Sequence, residues 1–129
     1  MGLTQVSLKI TNPKGSKKIV QDDFLVDSGA SYTVLPQHMV KKLKLKPSWT
    51  QKFALADGKK VTRDIGSAVI EFRGRKMATP VVLGLKHDSP LLGVITLESF
   101  GLSLNPFQRK IYETKLMLAS FNTGTKKNR

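Results

Sequence analysis

The amino-acid sequence predicts an all-β domain carrying one or two short helices, and three observations lead to that expectation. Gln5-Val6-Ser7-Leu8-Lys9-Ile10 alternates polar and apolar residues with the period of a half-buried strand. Asp57-Gly58 and Arg73-Gly74-Arg75 each separate two extended segments in the manner of hairpin turns. Helical signals are confined to two short stretches, 36–43 and 96–101.

Taken in order, the first strand breaks at Asn12-Pro13-Lys14-Gly15, and a second runs from Ile19 to the apolar trio Phe24-Leu25-Val26. Asp27-Ser28-Gly29 follows as a sharp loop. Pro36 suits the first turn of a helix, with Met39, Val40 and Leu43 on one side of it, and Pro47 limits its length. Phe53-Ala54-Leu55 and Val61 flank Asp57-Gly58 as a protruding hairpin. Ser67–Phe72 and Ala78–Leu83 form another. Pro90–Ile95 is a continuous apolar run suited to a buried strand, and Thr96–Gly101 is expected to make one helical turn closed by glycine. Leu102–Leu104 and Ile111–Leu118 complete the strands around Asn105-Pro106. The expected organisation is one domain over 1–121 and a basic, disordered tail over 122–129, with no internal repeat or linker.

Composition narrows the function classes. The 129 residues suffice for a core without staples, and the absence of cysteine removes disulfides, thiolate metal sites and a cysteine nucleophile. That absence is compatible with a reducing, cytoplasmic setting. No secretory pattern opens the chain, no apolar run has membrane-spanning length, and Val6 stands where a myristoylation pattern needs Ser or Thr. The expected protein is therefore soluble. Twenty-two basic residues against nine acidic ones give a net charge of +13. Because the basic runs are spread along the chain and few aromatics accompany them, the sequence favours a basic solvated surface over a nucleic-acid partner.

The chemistry centres on Asp27. A carboxylate after an apolar strand, in a glycine turn flanked by hydroxyls, suits a general base, a metal ligand or a plain turn former. The tripeptide alone does not choose among them. Its setting adds more, because Phe24 to Leu35, with Asp27-Ser28-Gly29-Ala30-Ser31 at its centre, resembles the active-site segment of retropepsin-like aspartic proteases. Leu91-Leu92-Gly93 resembles the paired apolar residues and glycine of that family's psi-shaped loop, and the turn of helix after it agrees. The Asp57-Gly58 hairpin occupies the place of the family's flap, so the match runs in order from about Ile19 to Pro106.

The resemblance implies a closed β-barrel of the acid-protease type and an endopeptidase that needs neither metal nor cofactor. Two carboxylates about 3 Å apart share one proton and hold a water, one acting as base and the other as acid. This chain offers one suitable Asp, since Asp88-Ser89 is followed by Pro90. The resemblance therefore implies a homodimer with Asp27 from each copy. It implies further that Ser28 bonds across the dimer axis, Gly29 admits the substrate backbone, and Ala30 and Ser31 line the site. Ala56, Asp57, Gly58 and Lys59 would form a flap tip pairing with an extended, mainly apolar peptide or protein segment. Ser31 and Val94 depart from the acidic residue and arginine common in viral members, so that ion pair cannot support this dimer. The strands near Leu3–Ile10 and Lys115–Phe121 are the expected interface instead. A weakly active dimerisation or peptide-binding module is the alternative.

Other residues carry less. His38 and His87 lack ligand spacing, and Trp49, expected in a loop, suits a core or interface anchor. No nucleophile-elbow pattern supports a serine hydrolase.

Overall fold

The computed structural model describes residues 4–115 and 118. The N-terminal alternation forms β1 (Gln5–Thr11), with Leu8 and Ile10 fully buried and Ser7 and Lys9 exposed. Asn12 reverses the chain. Its backbone oxygen accepts from Gly15 N–H at 3.1 Å and its Oδ1 from Lys14 N–H at 2.8 Å. β2 (Val20–Val26) returns antiparallel to β1 and buries Phe24 and Val26.

β3 (Thr33–Leu35) leads into α1 (Gln37–Leu43), where Pro36 is the N-cap, one residue before the position expected for it. Met39 and Leu43, four residues apart, lie on the buried side. Lys44 then takes a left-handed conformation (φ 55°) and ends the helix before Pro47.

β4 (Trp49–Ala54) and β5 (Lys60–Phe72) form the protruding hairpin. Two expectations are corrected here. Trp49 is the first residue of a strand rather than part of a loop. It is 48% exposed, because β4 is an edge strand that pairs with β5 alone and all its residues except the half-buried Phe53 are exposed. The stretch from Val61 to Phe72 is one continuous strand, although its polar centre and Gly66 resemble an interruption. Gly66 fits because a Cβ there would lie 2.9 Å from the Lys46 carbonyl oxygen. Arg73 and Gly74, at φ 50° and 78°, make a two-residue turn with both central residues left-handed, and β6 (Arg75–Leu83) follows.

The apolar run at 90–95 divides rather than forming one strand. β7 is only Leu91–Leu92, and Val94 and Ile95 open α2 (Val94–Ser99). The sheet cannot continue there because the amides of Val94 and Ile95 turn to the carbonyls of Ala30 and Ser31, at 2.8 and 2.9 Å. Short apolar runs fit a strand and a buried helix equally well by pattern. β8 (Leu102–Asn105) and β9 (Lys110–Glu113) pair as a separate two-stranded sheet. The strand expected over Ile111–Leu118 therefore ends at Glu113. Most of the segment 115–121 and all of the tail 122–129 lie outside the described residues.

β1, β2, β7, β3, β6 and β5 follow one another around a sheet, and β5 pairs again with β1 through Lys9–Thr11, closing a six-stranded barrel. Its core is built by Leu8, Ile10, Phe24, Leu35, Ile70 and Val81, all fully buried. No helix among the described residues is long and apolar enough to cross a membrane.

Candidate active site

β7 wedges between two strands of opposite sense. It runs parallel to β2, with Leu25 opposite Leu91 and Val26 opposite Leu92, and antiparallel to β3 at Val34. The chain leaving β2 must therefore loop over the end of β7 to reach β3, and Asp27 is the first residue of that loop. Asp27 N–H donates to Leu92 O at 3.2 Å, while Ala30 N–H closes a turn onto Asp27 O at 3.1 Å.

Gly93 makes the crossing possible. A Cβ at this position would stand 2.4 Å from the carbonyl carbon of Tyr32 and 2.7 Å from the nitrogen of Thr33. Only a residue without a side chain passes so close to that backbone. Beyond it, the bonds from Val94 and Ile95 to Ala30 and Ser31 stitch the start of α2 to the loop. Asp27, Ala30, Ser31, Leu92 and Gly93 are thus brought together from stretches about sixty residues apart.

The Asp27 carboxylate is partly exposed. Oδ1 accepts from Gly29 N–H at 2.8 Å, and Oδ2 has no hydrogen-bond partner among the described residues. A Cβ on Gly29 would approach Oδ1 to 3.2 Å, so this glycine also leaves room for the carboxylate itself. Ser28 is exposed and borders a largely apolar hollow lined by Val94, Leu97, Leu102 and Leu104 together with Glu98 and Ser103.

Beneath the loop lies a polar cluster that the sequence reading missed. Thr33, Thr79 and Thr96 are buried, and their hydroxyls form a chain: Thr33 Oγ1 to Thr96 Oγ1 at 2.7 Å, and Thr96 Oγ1 to Thr79 Oγ1 at 3.5 Å. Thr33 Oγ1 also accepts from Gly93 N–H at 3.0 Å. A buried hydroxyl must find partners. The available signal was a lone threonine among apolar neighbours in each of three segments, which single-segment periodicity reads as noise.

Ala56, Asp57, Gly58 and Lys59 form the exposed tip of the β4–β5 hairpin. Gly58 takes φ 86°, its N–H donates to Leu55 O at 2.9 Å, and Asp57 Oδ1 accepts from Lys59 N–H at 2.9 Å. No hydrogen bond joins the tip to the Asp27 loop among the described residues. The hairpin touches the loop lower down, where the rings of Phe53 and Tyr32 meet edge to face at 5.9 Å.

A second missed interaction secures the hairpin's stem. Arg63 on β5 grips Asp88 with two hydrogen bonds, 2.7 and 3.1 Å, and Asp88 also accepts from Leu85 N–H at 2.7 Å. The Arg63 bond holds the Asp88 carboxyl below its ordinary range, and the Leu85 amide adds to this against the opposing effect of burial.

Among solved structures, the EIAV protease in complex with the inhibitor HBY-793 is similar to this chain with a TM-score of 0.61 and 18% identity. The match covers 81% of this chain and 93% of that one. A retropepsin-like aspartic protease from Rickettsia conorii overlays with a TM-score of 0.49 at 24% identity, covering 78% and 84%. The simian foamy virus (mac) protease gives 0.46 at 20% identity, covering 68% and 87%. Comparison with curated protein sequences gave no match. The sequence model described as gag-polyprotein putative aspartyl protease matches residues 18–99, a span that holds the Asp27 loop, the hairpin and the Gly93 crossing. This chain belongs to that gag-type aspartyl protease family, and its barrel is retropepsin-like.

Proposed function

We propose that two copies of this chain form an aspartic endopeptidase, each contributing Asp27 to one dyad. The observation that carries the reading is the setting of Asp27. Its loop is tied to Leu92, Val94 and Ile95, its Oδ1 is engaged by Gly29, and its Oδ2 is left open. A carboxylate so held is oriented in advance, as a general base must be. One chain supplies one such loop, so the second carboxylate comes from a second copy around a twofold axis.

In the dimer, two carboxylates at hydrogen-bonding distance retain one proton between them. The ionised Asp27 takes a proton from the water lying between the pair, and that water attacks the peptide carbonyl. The protonated Asp27 donates to the carbonyl oxygen; as the tetrahedral intermediate collapses, the C–N bond breaks, the proton taken from water passes to the leaving amine, and a hydroxyl of the intermediate returns its proton to the dyad. Ser28 and the apolar hollow beside it lie against the partner copy, while Gly29, Ala30 and Ser31 line the cleft. The tip residues Ala56 to Lys59 close over an extended peptide, pairing backbone to backbone. Leu91, Leu92 and Gly93 hold the loop from below. No cofactor takes part in this scheme.

The absence of an ion pair at Ser31 and Val94 favours a second reading, a dimerisation or peptide-binding module with little turnover. One experiment separates the two: digestion of a mixed peptide library at mildly acidic pH by the wild-type chain and by Asp27→Asn. Under the enzyme reading the variant stays dimeric by size and loses cleavage by a factor on the order of 10²–10⁴, and a transition-state-mimicking inhibitor blocks the wild type. Cleavage undiminished by the substitution refutes the dyad. Peptide binding without cleavage by either protein establishes the module.

A further inference from the structure

Two of the basic runs that look separate along the chain meet in the fold. Residues 12–21 and 36–56 contain no Asp or Glu, and each carries a group of lysines. Asn12 joins the two segments directly, its Nδ2 donating to Leu43 O at 2.9 Å and to Lys44 O at 3.4 Å. The β1–β2 turn, with Lys14, Lys17 and Lys18, is thereby fastened against the end of α1, where Lys44 turns the chain through its left-handed conformation towards Lys46. Between them lies a groove lined by Asn12, Lys14, Lys44, Lys46 and Ser48. None of its lining residues belongs to the Asp27 loop, the Gly93 crossing or the hairpin tip.

Every one of these lysines is exposed, and none lies within ion-pair distance of a carboxylate among the described residues. Favourable interaction with the carbonyl end of α1 accounts for Lys41 and Lys42 in its last turn. It does not account for Lys14, Lys17 and Lys18, which arrive from another segment, nor for Lys46 beyond the cap. Placing like charges together costs energy unless a counter-charge sits there.

We propose that this groove binds the phosphodiester backbone of nucleic acid, without reading bases. The lining decides between this ligand and an acidic protein. A protein interface draws its affinity from a buried apolar or aromatic anchor in a pocket. The nonpolar lining residues here are Pro13, Leu45 and Pro47, of which Leu45 is already 8% exposed and committed to the core. Charge alone is left to bind, and a duplex presents about one negative charge per 1.7 Å of its axis. Lysine, a point charge on a flexible stem, suits such contacts because they demand no fixed fork geometry.

The test is the salt dependence of binding to a short mixed-sequence DNA duplex and to a single-stranded RNA, followed by fluorescence anisotropy. Wild type is compared with Lys14→Gln/Lys44→Asn/Lys46→Gln and with Lys76→Gln/Lys86→Gln/Lys110→Gln, which removes the same charge outside the groove. Asparagine keeps the left-handed position at 44 tolerable. Loss of the groove lysines should flatten the plot of log K against log salt by up to about 2.7 for the duplex and 2.1 for the single strand. The outer variant should keep a slope near that of wild type. Equal slopes for the two variants, or no wild-type binding at low salt, overturn the proposal. An oligoglutamate of matched charge that binds as tightly assigns the groove to acidic proteins instead. Unchanged thermal unfolding of each variant establishes that its fold is intact, and Lys14→Arg/Lys46→Arg should restore the wild-type slope.

Discussion

The loop at Asp27 and the hairpin tip at Asp57 are built from the same local chemistry. In both, an aspartate Oδ1 accepts from the amide two residues on, at 2.8 Å for Gly29 and 2.9 Å for Lys59. In both, a backbone hydrogen bond spans three residues, from Ala30 to Asp27 and from Gly58 to Leu55. Their surroundings differ entirely. The Asp27 loop is bound to Leu92, Val94 and Ile95 and rests on a buried hydroxyl cluster, whereas the Asp57 tip is exposed and, among the described residues, hydrogen-bonded only within its own hairpin. Local sequence selects a turn, and contacts made sixty residues away decide whether that turn is tied to the barrel or only to its own hairpin. Under the proposed function, Asp27 as a reactive group needs the first kind of support and the tip as a cover over the cleft needs the second.

Substitutions can be chosen to break one side of this comparison at a time. The largest expected effect on stability is at Gly93→Ala, where the new methyl collides with the Tyr32 backbone and no rotamer relieves it. We expect a loss of about 3 kcal/mol or more in urea denaturation, accompanied by loss of peptide cleavage. Thr96→Val removes the central hydroxyl of the cluster and should cost about 1–3 kcal/mol by the same measurement, since Thr33 and Thr79 both lose a buried partner. Gly58→Ala strains a residue at φ 86° and should cost about 1 kcal/mol. Because no hydrogen bond joins the tip to the Asp27 loop among the described residues, its effect on cleavage should appear in KM more than in the loss of a folded site.

The smallest effect concerns the tie at the hairpin's stem. Asp88 is held below its ordinary titration range by Arg63, so the folded state binds a proton there less readily than the unfolded chain. Its contribution is complete above the unfolded carboxylate value and disappears as pH falls through the lower folded one. Asp88→Asn should therefore destabilise by about 0.5 kcal/mol at neutral pH, and the gap from wild type should close in strong acid. A gap that widens on acidification contradicts this assignment.

Much of this architecture was legible beforehand. Period-two alternation found β1, the Arg73-Gly74 turn found the β5–β6 hairpin, and the order of Asp27, Asp57-Gly58 and Leu91-Leu92-Gly93 indicated the barrel. What stayed hidden depended on pairs of distant segments. Val94 and Ile95 looked like strand because their apolar character is common to both structures, and only their amides' partners in the Asp27 loop settle the matter. Thr33, Thr79 and Thr96 are each unremarkable in isolation, and Arg63 carries no mark that it will meet Asp88. The gathering of lysines was invisible for the same reason, since it rests on one asparagine reaching across to a helix end.

The wedging of β7 between β2 and β3 also sets an order of events. Loop closure over some sixty residues must precede any bond from Leu92, Val94 or Ile95 to the Asp27 loop, and such long-range closures come late and slowly in folding. On the ribosome, where the chain emerges from its N-terminus, Asp27 appears early but its fastenings lie beyond residue 90. An incomplete chain ending before Gly93 carries the carboxylate without the means to aim it. Under the proposed function, the carboxylate is thereby kept idle until nearly all of the barrel has been made.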